Sequence, residues 1–539
     1  VLIIVFIVAI AISMALIPPL LRIAPHIGMI DQPDPRKVHL QPVPRAGGIG
    51  IVIGALVPMM IWLPLTDTLL AYYGGSLVLL VFGMWDDIAE LGHYAKFIGQ
   101  FLSAILVVYY GGLVVESFPF LGLEPLPPEV GEPFTVVAIV GMINAINHSD
   151  GLDGLAGGES IMSLGGMLYL ASQSESLEFM LVTVAVMGGI FGFLRFNSHP
   201  ARVFMGDGGS QFIGFSLAVL AIWLTQWVNP ALSPALPLLL LGLPIADILV
   251  VFWKRASSGR NWFRATKNHI HHRLMELGCH HYESVIVIYT VQAGLVVSGV
   301  LVRYSYDGLI LALYLGVCGF LFALLSTAER RGWRAHAAGE PGAIARFLAS
   351  TGGQPAWRRL PLQLVSAGVG FYLIASAFAT TRVPTEFALV AFLLSVALAV
   401  RLVLGYRVWF LMLRLLVYLS VALLVYLVTT EPPSWMTPPM DYVFFGMMAA
   451  LIVAAVRTAE ADRFQMTPLD YLVVLIALAL AVVPEEEIAA TGAVSMAIKV
   501  ILLFYGSELA LRHLRSRWTP FTVTVLASLL VTGARGLAG

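Results

Sequence analysis

Asn144, Asn147, Asp150 and Asp153 stand three residues apart in the run NAINHSDGLDGLAGG (144–158), at the end of an apolar segment. That spacing puts neighbours on adjoining helical turns, so the four read as a continuous polar strip on one helix face. The glycines among and after them, Gly151, Gly154, Gly157 and Gly158, let a backbone approach a ligand closely. A second run, GMWDDIAELGHYAKFIGQ (83–100), closes one apolar segment with Asp86 and Asp87 and opens the next with Lys96 and Gln100. Adjacent carboxylates on a helix point in different directions, so one can meet a metal while the other meets a substrate proton or a lysine.

Three further runs carry complementary chemistry. In FNSHPARVFMGDGGSQ (196–211), Asn197, His199 and Arg202 precede the turn Gly206-Asp207-Gly208-Gly209-Ser210. A glycine-rich turn that opens a helix directs free amides at an anion, and Asp207 can ligate a hard cation such as magnesium. GRNWFRATKNHIHHRLMELG (259–278) gathers Arg260, Arg264, Lys267, His269, His271, His272 and Arg273. No thiolate or HExxH pattern accompanies these histidines, which speaks against zinc; they suit phosphate or sugar contacts. DQPDPRKVHLQPVPRAGG (31–48) adds Arg36, Lys37, His39 and Arg45. Taken singly, these runs also read as helix caps, a polar helix seam, a turn or a basic loop. Together, carboxylates that hold metal and bases that neutralise phosphate fit a magnesium–diphosphate substrate and phosphoryl transfer.

The elements that must position these residues are membrane helices. A chain of 539 residues with 59% hydrophobic and 12% charged content is not a soluble globular protein. Continuous apolar runs of roughly 17–23 residues recur along it, which predicts an all-α polytopic bundle of about 18 spans with the active site on cytosolic loops. Among these runs, 134–147 is short. A strand barrel would need alternating rather than continuous apolarity. Most of the 31 Lys and Arg fall on one side if the spans alternate; Arg303, Arg382 and Arg535 fall on the other, and Arg414 and Lys499 lie within spans. The segment Glu116–Glu132 contains no Lys or Arg. The positive-inside rule makes the basic side cytosolic, and all five polar runs map to it. The first apolar run reads as a retained helix rather than a cleaved signal. Cys279 and Cys318 offer neither a disulfide framework nor a metal motif.

The organisation is a core over 1–327 that holds the polar runs, a basic cytosolic linker over 328–360, and further helices over 361–539 of unassigned role. No internal repeat of the transporter kind is evident.

The pair Asp86-Asp87, NAINHSDGLDGLAGG, FNSHPARVFMGDGGS and HIHHRL, in this order and spacing, resemble the polyprenyl-phosphate N-acetylhexosamine-1-phosphate transferases over about residues 1–325. The resemblance implies transfer of a sugar 1-phosphate from a UDP-N-acetylhexosamine to a polyprenyl phosphate, releasing UMP, in a bacterial inner membrane. HIHHRLMELG and RKVHLQPVPRAGG are similar to the branch that loads N-acetylglucosamine 1-phosphate onto undecaprenyl phosphate; the phospho-N-acetylmuramoyl-pentapeptide branch comes second. Arg264-Ala265-Thr266-Lys267 departs from the Pro-Asp pair that many relatives carry before the histidines, which leaves sugar choice open.

Carried over by motif, the resemblance implies Asp207 as the Mg2+ ligand, with Asp86 and Asn147 as further ligands and Mn2+ as an alternative ion. Asp86 is then the base or phosphate-orienting acid, supported by Asp87. Asn144, Asn147, Asp150, Asp153 and Asn197 face the nucleotide. Lys37, His39, Lys96, His269, His271, His272 and Arg273 counter phosphate charge or touch the sugar. A homodimer is compatible with this reading, and no nucleic-acid partner is expected. The rival from another class, a lipid or solute transporter, predicts ionisable residues at mid-membrane depth; only Arg414, Lys499 and Asp247 qualify.

Overall fold

In a computed structural model, the structure describes residues 1–33, 41–118, 125–174, 176–257, 268–335, 355–404, 410–430, 438–458, 493–513 and 519–538. The chain divides into two compact units, one of Val1–Gly342 with Thr467–Ala479, the other of Ala343–Met466 with Leu480–Gly539.

The first unit contains α1 (Leu2–Ile23), α2 (Gly47–Trp62), α3 (Asp67–Ala89), α4 (His93–Ile105), α5 (Pro128–Ser149), α6 (Leu155–Ser172) and α7 (Leu177–Asn197). It continues through α8 (Gly206–Trp223), the short α9 (Pro237–Leu240), α10 (Gly242–Ser257), α11 (Ile270–Glu276), α12 (His281–Leu301) and α13 (Asp307–Arg330). Its one described sheet is two residues wide: β1 (Ile30–Asp31) pairs antiparallel with β2 (Val43–Pro44).

Local chemistry sets the helix ends that matter. The Thr66 hydroxyl accepts the Leu69 amide to start α3, as an N-cap should. At its far end Glu90 takes a left-handed conformation, φ 48°, and its N–H returns to Asp86 O at 2.8 Å. Gly206, at φ 67°, starts α8, a conformation that favours glycine.

Helix α8 is the axis of this unit, buried along nearly its whole length and packed by α2, α3 and α5. Small residues permit the close crossings that membrane helices rely on. A Cβ on Gly83 of α3 would land on the Gly208 backbone, and one on Gly48 of α2 on that of Gly209. Gly214 lies likewise against the Ile143 backbone of α5. The motif glycines thus bring α2, α3 and α8 together where Asp86, Asp87 and Asp207 lie.

The second unit contains α14 (Pro355–Ala379), α15 (Thr385–Leu404), α16 (Phe410–Thr430), α17 (Pro438–Thr458), α18 (Ala493–His513) and α19 (Thr519–Ala538). Lys499 of α18 is ion-paired with Asp441 of α17. Arg535 donates to the carbonyls of Ala377, Phe378 and Thr380 at 2.7–2.8 Å, closing the end of α14.

Ten described helices are long and apolar enough to cross a membrane. Others among the expected spans are shorter (α2) or diluted by polar and small residues (α6), and 468–484 lies outside the described residues, as does most of the expected linker. The span expected over 134–147 is longer than its hydropathy suggests. Helix α5 runs for 22 residues, with Pro128 at its first position, where no N–H is needed, and its polar end remains helical to Ser149.

Candidate active site

The polar strip of Asn144, Asn147, Asp150 and Asp153 is half helix and half turn. Asn144 and Asn147 lie on α5, which stops at Ser149; Asp150 leaves the helical region at ψ 61°, and Gly154 is left-handed at φ 79°. Asp150 and Asp153 therefore sit on a turn, so they do not extend the helical face. Asn144 is directed behind the site. Its amide donates to Gln100 Oε1 at 2.8 Å and to the Val140 carbonyl at 2.8 Å. Asn147 points inward, donating to Asp207 Oδ1 at 3.2 Å and Ser210 Oγ at 2.8 Å.

Three carboxylates and one ammonium form the centre. Asp86 and Asp87 are both buried at the end of α3. Lys96, one turn into α4, bridges Asp86 Oδ2 at 2.7 Å and Asp207 Oδ2 at 2.6 Å. The two adjacent acids diverge as their helical positions require. Asp87 accepts the Asp207 N–H at 3.1–3.2 Å, so the anion at the start of α8 is one of the protein's own. Gly206 is required here for a second reason, since a Cβ there would collide with the Asp87 carboxylate. Asp86 keeps one buried oxygen, Oδ1, with no hydrogen-bond partner. A buried acceptor left open among carboxylates fits a hard cation, so Asp86 and Asp207 suit a magnesium ion.

These groups line a cavity of about 1060 Å3 with Asn147, Asp150, Asp153, Asn197 and His272. Asp150 keeps an open face, yet burial of its carboxyl, followed by the charges of Asp207 and Asp153, raises its pKa to about 7. Asn197 is buried and spent on the fold: Oδ1 accepts the Gly154 N–H and Nδ2 donates to the Val203 carbonyl, each at 2.8 Å.

The far wall joins Asp153 and His199 to His281, a residue that no motif in the sequence marks. Asp153 Oδ2 meets His199 Nδ1 at 2.7 Å and accepts the Ala201 N–H at 3.0 Å, while the Asp153 N–H donates to His281 Nε2 at 3.0 Å. His281 opens α12, and its ring stacks on His199 at 4.2 Å. Asp153, His199 and His281 bring ligand atoms within 4.8 Å of one another. Near-parallel rings send their in-plane lone pairs side by side, however, and the Asp153 amide already occupies Nε2. The trio is a hydrogen-bonded wall, and a poor cation cage. Arg45, noted in its run but not assigned a role, lines the cavity beside β2 and is paired with Asp31 across the small sheet; this pairing, against the cost of burial, keeps its pKa raised.

The histidine run divides. His272 reaches the cavity, whereas His269 and His271 are buried behind it. His269 Nδ1 meets Asp247 Oδ2 at 2.7 Å, and Asp247 Oδ1 accepts the Ile270 N–H at 2.9 Å. The His271 ring presses on Gly151, where no Cβ could fit. Burial and the neighbouring histidines 272, 269, 148 and 281 lower its pKa well below the usual value, leaving a neutral ring. Arg273, expected to meet phosphate, instead binds Glu329 of α13 through two bonds of 2.6 and 3.0 Å, with Ser326 at 3.0 Å. It is 2% exposed and outside the cavity wall, a strut for α11. Lys37 and His39 lie outside the described residues.

Of the charges within spans, Asp247 is hydrogen-bonded to His269 and Lys499 is ion-paired with Asp441; the side chain of Arg414 is outside the described set. The cavity acids cluster at helix ends and turns.

The family model for glycosyl transferase family 4 matches residues 69–225, the stretch that carries Asp86, Asp87, Lys96, the Asn147–Asp153 strip and Asp207. The chain is 37% identical over 289 residues to the probable undecaprenyl-phosphate N-acetylglucosaminyl 1-phosphate transferase of Bacillus subtilis (strain 168), covering 53% of this chain and 80% of that one. It is 28% identical over 345 residues to the undecaprenyl-phosphate alpha-N-acetylglucosaminyl 1-phosphate transferase of Yersinia pestis, with coverages of 62% and 91%. It is 30% identical over 298 residues to the decaprenyl-phosphate N-acetylglucosaminephosphotransferase of Mycobacterium leprae, with coverages of 50% and 75%.

Proposed function

Since the chain belongs to glycosyl transferase family 4, we propose that it transfers N-acetylglucosamine 1-phosphate from UDP-N-acetylglucosamine to undecaprenyl phosphate, releasing UMP. The carrying observation is the Asp86–Lys96–Asp207 cluster, with Asn147 bonded to it, at the floor of one polar cavity between helix ends. The reaction forms a bond from a lipid-phosphate oxygen to the sugar-bound phosphorus and breaks that phosphorus's bond to the oxygen shared with UMP. Lipid phosphate is already ionised near neutral pH, so the step needs positioning and charge neutralisation more than a strong base.

Asp207 and Asp86 would hold Mg2+, with Asn147 fixing the Asp207 carboxylate; the ion would supply charge neutralisation of the diphosphate. Lys96, by bridging Asp86 and Asp207, holds the two carboxylates together at the cavity. Asp87, by gripping the Asp207 amide, fixes the start of α8 and hence the Asp207 side chain. Asp150 and Asp153 stand on the wall where the nucleotide would lie. The positive-inside pattern supports a cytosolic face for the cavity and a bacterial inner-membrane setting.

The test is purified full-length protein with undecaprenyl phosphate, magnesium and a panel of UDP-sugars that includes UDP-N-acetylmuramoyl-pentapeptide. UMP release with UDP-N-acetylglucosamine is expected. Folded protein that releases no UMP with any donor would sink the reading, and selective use of the pentapeptide donor would move the chain to the other branch.

A further inference from the structure

A phosphate-transferring cavity needs positive charge that the protein has not already spent. Among the described lining residues, the ammonium and guanidinium groups are those of Arg45, Lys96 and Arg202. Arg45 is committed to Asp31, and Lys96 to Asp86 and Asp207. The Arg202 side chain is exposed to the cavity and meets no carboxylate among the described residues.

The backbone around Arg202 is far from loose. Its own N–H donates to the Phe196 carbonyl at 2.9 Å, and the Val203 carbonyl accepts from Asn197 at 2.8 Å. The flanking amides of Ala201 and Phe204 donate to Asp153 Oδ2 at 3.0 Å and to the Pro44 carbonyl at 2.8 Å. The turn is therefore anchored to α7, to the aspartate wall and to the small sheet, while the cation it carries is left open. Fixing the main chain lowers the ordering cost of a guanidinium that must receive an anion. A guanidinium presents paired donors that match phosphate oxygens.

We propose that Arg202 is the phosphate-recognition residue of this cavity, binding an anionic phosphate oxygen of a substrate. The inference rests on the transferase reading, and its chemistry is shared by two sources, the nucleotide diphosphate and the lipid phosphate. The experiment uses full-length wild-type, Arg202→Ala and Arg202→Lys proteins in lipid nanodiscs. UMP release is followed while each substrate is varied in turn, and UDP binding is measured by calorimetry without undecaprenyl phosphate. Loss of one charge-assisted contact predicts a rise of about tenfold in one KM, partly recovered by lysine, with an unchanged thermal midpoint.

A raised KM for the UDP-sugar with weakened UDP binding assigns the contact to the nucleotide. A raised KM for the lipid with unchanged UDP binding assigns it to the lipid phosphate. Both KM values and UDP affinity staying within about twofold of wild type, less than the smallest contact of this kind contributes, overturn the proposal and leave Arg202 a solvated cation. Wild-type protein that binds UDP in an Arg202-dependent way but releases no UMP would count against the transferase reading and for Arg202.

Discussion

The Asp207 carboxylate accepts from Lys96 and Asn147, while the Asp207 amide donates to Asp87, so this residue is held from three sides. Asp207→Ala should lower UMP release by roughly 100- to 1000-fold, the range seen when one preorganised electrostatic group is removed. The protein should still insert and melt cooperatively; retained magnesium-dependent turnover would refute its metal role. Asp150 gives a pH prediction. Its pKa of about 7 lies well above the ordinary value of a free aspartate, so between these limits the folded state holds a proton that the unfolded chain has lost. Stability contributed by this group is thus present at low pH and is lost as pH rises through 7. With its partly open face, the effect is on the order of 1 kcal/mol. Asp150→Asn should raise the thermal midpoint of the ligand-free protein at pH 8 and leave it unchanged near pH 4; a uniform shift at both would contradict the assignment.

At the scale of elements, the seven-residue α11 is fixed from two sides, by Asp247 of α10 at its start and by Glu329 of α13 through Arg273. Arg273→Ala removes a buried guanidinium from the exposed Glu329 and the half-buried Ser326 and should cost about 1–2 kcal/mol, read as a lower thermal midpoint, with UMP release falling because His272 loses its support. Arg273→Lys should rescue little, since the bond to Glu329 uses two guanidinium nitrogens. This pairing was invisible in the sequence because 56 residues separate the partners; Arg273 read as one more basic residue in a basic loop. The same limit explains Asn144 and Asn197, whose side chains have the chemistry of ligand contacts but are used to bind Gln100 and the Gly154 amide. Asp86, Asp87, Lys96 and Asp207 were legible because helix-end carboxylates and a lysine at the opening of the next apolar run leave few other uses. The turn at Asp150 is hidden in the sequence because the three-residue rhythm of polar residues continues past the helix, and the glycines that interrupt it serve the turn as well as any close approach.

For the whole molecule, the described residues of the cavity all belong to the first unit. Truncation after residue 335 should preserve UMP release within a factor of about three, as expected of a unit with its own core. A complete loss with the truncated protein still folded would make the second unit part of the enzyme. The all-helical character and membrane setting were plain from composition. The number of crossings was not, since hydropathy cannot separate a full span from a shorter packed helix such as α2, which is buried by α1, α7 and α8.

The glycine crossings of α2 and α3 with α8 bear on how genetic data for this protein should be interpreted. Gly48 and Gly83 carry no functional group, yet a single methyl at either would push α8, and Asp207 with it, out of place, at a cost of about 1–3 kcal/mol. A loss-of-activity screen will score such positions as heavily as the acids, and scoring by activity alone would enlarge the apparent reaction centre with residues that cannot touch a substrate. Pairing each activity value with an expression or melting readout separates the two groups. The acid variants should be inactive and intact, while Gly48→Ala and Gly83→Ala should be inactive because they are displaced.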